Sequence, residues 1–76
     1  MVKVISVEPL AHGWALHEGT VANPQVFASG AKAEDAALRL GARLAAAGDP
    51  AEIRIYLRGG ALAGKFLCPA GQEIAA

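Results

Sequence analysis

The sequence predicts a small α+β domain in which one amphipathic helix packs on one face of a small antiparallel sheet. Three observations predict this class. Residues 29–44 carry apolar positions at intervals of three and four, which is the period of a helix. Alternating or β-branched segments precede and follow that stretch. A chain of 76 residues has room for one core, so we place one domain at residues 1–68 and a short tail at 69–76.

A hairpin is expected first. Residues 2–8 are rich in β-branched side chains, and Pro9 is expected to end this strand because it has no backbone N–H. A turn at residues 9–12 then leads into residues 13–18, which alternate as a half-buried strand does. One face of this second strand is formed by Trp14, Leu16 and Glu18.

The helix follows a short strand at residues 25–28, whose Phe27 is expected to enter the core. Ser29 has the hydroxyl of a helix N-cap, and Asp35 is spaced to pair with Arg39 one turn later. Small residues on the buried side predict a close approach of the helix to the sheet. That buried stripe consists of Ala33, Ala36, Ala37, Leu40, Gly41 and Leu44.

A second hairpin is expected after the helix. Gly48 suits the left-handed residue that follows a last helical turn. Residues 51–57 alternate as a strand, and residues 61–67 return as its partner through a two-residue turn at Gly59 and Gly60. On the core side of the first of these strands we expect Ile53, Ile55 and Leu57.

The composition describes a globular chain with little charge. Hydrophobic residues make up 54%, charged residues 18%, and the mean hydropathy is +0.34. Seven basic residues balance seven acidic ones, so no overall field favours nucleic acid or an anionic membrane. Because much of the apolar content is alanine, larger side chains must supply most of the buried area. These are Trp14, Phe27, Leu40, Leu44, Ile53, Ile55, Leu57 and Phe66.

Two patterns suggest chemistry and then fail to support it. Residues 59–65 match the G-x-x-x-x-G-K part of a phosphate-binding loop, but Phe66 stands where a Ser or Thr would bind magnesium. Too few residues follow for the helix that such a loop needs, so a glycine-turned hairpin is favoured. Glu8 and Glu18 could approach one another across the first hairpin, although two solvated carboxylates are the favoured interpretation.

No metal or catalytic site is recognisable either. His12, His17 and Cys68 are not spaced as a zinc site, and a domain this small is expected to lack the concave volume that encloses a substrate. We therefore predict a non-enzymatic protein without catalytic residues, cofactor or metal. The single cysteine excludes an internal disulfide and favours a reducing compartment, and no segment resembles a signal peptide or membrane span. We expect a soluble cytoplasmic protein.

One group of residues predicts a contact surface. Arg54, Tyr56 and Arg58 alternate on the non-core side of their strand, and Lys65 is expected on its hairpin partner. A tyrosine between cations is typical of protein interfaces and also of sheets that stack single-stranded nucleic acid. With zero net charge and a small core, we expect a protein-interaction module, a homodimer through the open sheet face or an edge strand. A nucleic-acid-binding accessory protein using the same four residues is the alternative, and a solvated face without a partner is the third possibility.

Three stretches resemble a family of small bacterial domains catalogued as a domain of unknown function. They are GWALHEG at residues 13–19, the K-A-E-x-A-A pattern at 32–37, and residues 53–62 with their glycine turn. The family shows G-W-x-V-x-x-E-G, K-A-E-A and a hairpin turned by Asp-Gly, where this chain has Gly59 and Gly60. The resemblance implies an antiparallel sheet with one helix across it, and it supplies no catalytic residues.

Overall fold

The computed structural model describes residues 2–19 and 23–71. Within these ranges one helix packs on one face of a five-stranded sheet with strand order β3-β2-β1-β4-β5. The predicted α+β class is therefore confirmed. The elements are β1 (Lys3–Leu10), β2 (Gly13–Glu18), β3 (Gln25–Phe27), α1 (Gly30–Ala46), β4 (Ala51–Tyr56) and β5 (Leu62–Cys68).

The sheet is mixed, whereas the sequence predicted an antiparallel one. β1 and β4 run parallel at its centre, with Ile5 opposite Ile53 and Val7 opposite Ile55. The other neighbouring strands are antiparallel. The difference arises because α1 connects β3 to β4 as a crossover, so β4 runs in the direction of β3 and therefore of β1.

Pro9 lies inside β1, so the expectation that it ends the strand is wrong. It pairs with Trp14 on β2, whereas the pairing of β1 with β4 stops at Val7 and Ile55. No β4 residue lies beside Pro9, so its missing N–H breaks no hydrogen bond between β1 and β4. Proline is tolerated here for the same reason that it is tolerated on the edge strand of a sheet. The first hairpin loop is consequently shorter than predicted and consists of residues 11–12.

The start of α1 follows the sequence prediction. Ser29 is the N-cap, and its side chain accepts a hydrogen bond of 3.2 Å from the backbone N–H of Lys32. On the exposed side of the helix, Arg39 Nη2 lies 2.7 Å from Asp35 Oδ2. The first contact satisfies an amide that the helix itself leaves free, which stabilises this end of α1.

The end of α1 is closed by a Schellman motif. Gly48 has a φ of 95°, and its N–H donates to Ala45 O at 3.0 Å. The N–H of Asp49 donates to Leu44 O at 2.8 Å. These are the two reversed hydrogen bonds that a left-handed residue after the last turn allows, so the predicted role of Gly48 is confirmed.

The core lies between α1 and the central strands. Ile5, Val7 and Ile53 are the largest fully buried side chains. Gly41 approaches the sheet closely, because a Cβ placed there would lie 3.0 Å from both Cys68 Sγ and Ile53 Cδ1. The residues of α1 that are buried are Ala33, Ala37, Gly41 and Ala45, and larger side chains packed around this core are Trp14, Phe27, Leu40, Leu44 and Ile55.

Two large side chains expected in the core are partly exposed instead. Leu57 is half-exposed because it lies one residue beyond β4, and Phe66 lies on the edge strand β5. The helix packs mainly on β4 and β1 and reaches β5 least. The burial expected for Leu57 and Phe66 therefore does not occur, because a single helix is too narrow to cover the whole sheet.

The second hairpin turns at Gly59 and Gly60, whose φ values are 93° and 91°. Both glycines have the positive φ that was predicted. The N–H of Leu57 donates to Ala61 O at 2.8 Å, so the loop has three residues rather than two. The phosphate-loop pattern therefore spans a hairpin loop and β5, with no helix after it among the described residues.

The described chain ends beside α1. The N–H of Gly71 donates to Ala45 O at 3.0 Å, which brings the first residues of the predicted tail back to the last turn of the helix. The rest of that tail, residues 72–76, lies outside the described residues. Within the described ranges no helix is long and apolar enough to cross a membrane.

Candidate interaction surface

The sheet has one face that α1 does not cover, which we call the open face. Because Ile5 and Ile53 point toward the helix, the residues next to them in each strand point the other way. The open face comprises Val4, Ser6, Glu8 and Leu10 of β1, Ala15 and His17 of β2, Val26 of β3, Glu52, Arg54 and Tyr56 of β4, and Leu62, Lys65 and Leu67 of β5.

A carboxylate and two cations form the polar centre of the β4–β5 half of this face. Arg54 lies directly opposite Lys65 in the antiparallel register. Arg54 Nε donates to Glu52 Oε2, and Lys65 Nζ lies 3.8 Å from Glu52 Oε1. The Glu52 side chain is only 14% exposed, so one largely covered carboxylate contacts two of the three cations of the predicted site, Arg54 and Lys65.

The environment of Arg54 favours its charged form. The hydrogen bond to Glu52, followed by a hydrogen bond to Tyr56 and the charge of Glu52, raises the pKa of the Arg54 guanidinium above its usual value. Glu52, Arg54 and Tyr56 are alternate residues of one strand, so these bonds run along β4. The arrangement orients the guanidinium within the open face, and the negative charge of Glu52 offsets part of its positive potential.

Arg58 does not take part in the contacts of Glu52 with Arg54 and Lys65, and of the predicted site residues it shares a cleft with Tyr56. It lies in the loop after β4, and its Nη1 donates to Leu10 O at 3.0 Å. This bond joins the end of β4 to the end of β1. The structure thus brings Arg54, Tyr56 and Lys65 together and places Arg58 at the rim, where the sequence had predicted four residues on one surface.

Two clefts formed by the described residues flank the sheet, and both are open to solvent rather than enclosed. The first, of about 610 Å³, lies between the two hairpin loops and is lined by Glu8, Tyr56 and Arg58 among others. The second, of about 720 Å³, lies between α1 and the β2–β3 side, with Leu16 and Phe27 among its lining residues. Neither contains a nucleophile paired with a base among the residues that line it.

The remaining sequence candidates do not form a site. Glu8 is on the open face, whereas Glu18 is buried on the helix side, opposite Ile5. The two carboxylates therefore do not approach one another, and Glu18 is not solvated as expected. His17 Nε2 lies 3.8 Å from Glu8 Oε2, and Cys68 is half-buried beside α1. Across the described ranges no group of three or more His, Cys, Asp or Glu side chains is placed to hold a metal ion.

The edge strand β5 carries exposed apolar side chains on both of its faces, with Leu62 and Leu67 on the open face and Phe66 on the helix side. Leu62, Phe66 and Leu67 are 51%, 42% and 66% exposed, and β5 has a neighbouring strand on one side only. The opposite edge, β3, has three residues, of which Val26 is 62% exposed. A long edge with unpaired backbone groups and apolar side chains is a template for pairing with another strand.

Sequence reasoning had not assigned Leu62, Leu67 or Glu52 to the site. The signal for the leucines was available, because apolar residues of β5 occur on both of its faces, which is typical of a strand covered on both sides. Glu52 precedes Arg54 by two residues in the alternating strand and so shares its face, but its position between two cations depends on the pairing of β4 with β5. Neighbouring side chains across strands are set by register, which the sequence alone does not reveal.

No protein-family model, curated protein or solved structure matches this chain. The fold and the surface define it as a small α+β domain with one sheet face uncovered and an exposed apolar edge strand.

Proposed function

We propose that this protein is a non-enzymatic interaction module that forms a homodimer, with β5 and the adjoining open face as its contact surface. The observation that carries the proposal is the exposure of Leu62, Phe66 and Leu67 along an unpaired seven-residue edge. Burying these side chains removes apolar surface from water, and pairing the edge satisfies its free backbone groups. A core this small gains stability from such association.

The charge distribution supports a second copy as the partner. The chain has no net charge, so two copies do not repel one another as a whole. Within the contact surface, the Glu52 carboxylate partly neutralises Arg54 and Lys65. Tyr and Arg are also the residue types enriched where protein interfaces gain most of their energy.

The resemblance to the uncharacterised bacterial family stays a prediction, and so does location in the cytoplasm. The location is supported by the single thiol, Cys68, which suits a reducing compartment.

Light scattering coupled to size exclusion tests the dimer. We expect the wild-type chain to show twice its monomer mass of 7.7 kDa. Leu67→Lys replaces an exposed apolar side chain of this edge with a second ammonium group two residues from Lys65. It should give a monomer, because the apolar burial is lost and like charges are brought together in the contact surface. The new lysine lies opposite Glu52, which preserves the fold.

Val26→Lys is the matched control, since Val26 has nearly the same exposure on the opposite edge. This variant should stay a dimer. A wild-type chain that is monomeric at high concentration, or a Val26→Lys variant that dissociates as Leu67→Lys does, contradicts the proposal.

A further inference from the structure

We infer that two copies pair β5 with β5 in antiparallel orientation, with the two-fold axis beside Phe66, so that two five-stranded sheets become one of ten strands. This inference rests on the proposed homodimer and adds its geometry. A two-fold axis perpendicular to the sheet makes the two edge strands antiparallel, and the residue on the axis faces its own copy.

The regular part of β5 is centred on Phe66. Its pairing with β4 is regular from Cys68 to Gly64, and it becomes irregular where Leu62 pairs with Tyr56 and Ala63 is left out. Such an irregularity bends and twists an edge strand away from further pairing. At the other end, Pro69 has no N–H to donate. Residues 64–68 can therefore all pair with a second copy only when Phe66 faces Phe66.

The charge of Lys65 favours the same register. Lys65 is the only charged residue in 64–68. An axis at Lys65 would place two ammonium groups directly opposite one another, which is destabilising. An axis at Phe66 instead places Lys65 opposite Leu67 of the second copy, on the open face. The ammonium group then keeps its contact with Glu52, and its methylene groups cover the exposed leucine.

Side-chain size on the helix side also fits this axis. The two Phe66 rings would meet as an aromatic pair. Gly64 would lie opposite Cys68 of the second copy, so small residues flank the rings. In the single chain, a Cβ at Gly64 would lie 3.8 Å from Phe66 Cε2, which shows that the ring extends over the glycine.

Cysteine cross-linking tests the register. All variants carry Cys68→Ser, and cysteine is introduced singly by Lys65→Cys, Phe66→Cys or Leu67→Cys. Copper phenanthroline then oxidises each protein, and denaturing gels without reductant measure covalent dimer. We expect covalent dimer from Phe66→Cys. Lys65→Cys and Leu67→Cys should each give none alone, because their sulfurs lie on diagonal positions roughly 7–8 Å apart.

A mixture of the Lys65→Cys and Leu67→Cys chains, unfolded and refolded together, keeps Phe66 intact and should give covalent dimer. If Lys65→Cys or Leu67→Cys alone gives as much covalent dimer as the mixture or as Phe66→Cys, the dimer stands and the axis at Phe66 is wrong. A dimer by light scattering that cross-links at none of these positions overturns the pairing of β5 with β5. A chain that is monomeric by light scattering overturns the proposed function, and the inference with it.

Discussion

Lys65 lies directly opposite Arg54 on the open face, and both cations contact the carboxylate of Glu52. Two like charges at facing positions of neighbouring strands normally repel one another. The Glu52 carboxylate offsets the repulsion between Arg54 and Lys65 and lowers the positive potential of the open face. That face is the one predicted to bind nucleic acid in the alternative hypothesis. Replacing Glu52 therefore distinguishes the homodimer hypothesis from the nucleic-acid-binding hypothesis.

Glu52→Gln is expected to give binding to single-stranded nucleic acid, whereas we expect none from the wild-type chain. The change frees Arg54 and Lys65, which face one another beside a partly exposed tyrosine, Tyr56, that can stack on a base. Fluorescence anisotropy with a labelled oligothymidine at low and high salt measures this, and the new binding should fall as salt rises. Glu8→Gln is the control, because it makes the same change in net charge on the same face. Tight, salt-dependent binding by the wild-type chain would favour the nucleic-acid hypothesis instead.

Gly41→Ala is expected to destabilise the fold, although alanine is the better helix former. The new Cβ would lie 3.0 Å from Ile53 Cδ1 and Cys68 Sγ, and Ile53 is fully buried. Overpacking costs roughly 1–3 kcal/mol, against a gain of about 1 kcal/mol in helix propensity. Urea unfolding followed by Trp14 fluorescence measures the difference. Cys68→Ala in the same chain should restore part of the loss, and a Gly41→Ala variant more stable than wild type would refute the close approach.

Ser29→Ala should lower the free energy of unfolding by about 1 kcal/mol. The substitution removes the oxygen that accepts from the Lys32 N–H and leaves that amide without its cap. Urea titration gives the value, and Ser29→Asp is the control because its carboxylate also caps a helix and favours the positive end of the dipole. Equal losses for the alanine and aspartate variants would show that the cap contributes nothing.

Gly48→Ala should cost about 1–2 kcal/mol, because a Cβ in the left-handed region meets the following carbonyl oxygen. Gly48 has a φ of 95° and no neighbouring residue crowds the position, so the cost arises within the local backbone and not from contacts with other residues. Thermal unfolding by circular dichroism measures it. Gly19→Ala is the control, since Gly19 is uncrowded too and its φ is not in that region. A Gly48→Ala chain as stable as wild type would contradict the Schellman motif.

Local chemistry was enough to locate most of the elements and several of their ends. The helix period, the Ser29 cap, the Gly48 stop and the glycine turn at residues 59–60 all depend on residues within a few positions of one another. The alternation of β2 and β4 likewise predicted which side chains share a face, including Arg54 and Tyr56. These features follow from backbone and side-chain preferences that act over one or two turns of chain.

Long-range pairing determined the features on which function depends. The parallel contact of β1 with β4 joins residues almost fifty positions apart, and no local pattern specifies it. That order of strands leaves β5 at the edge, exposes Leu62, Phe66 and Leu67, and places Glu52 between two cations. Strand order and register result from how the whole chain buries its apolar surface at once, so they emerge only when the tertiary structure forms.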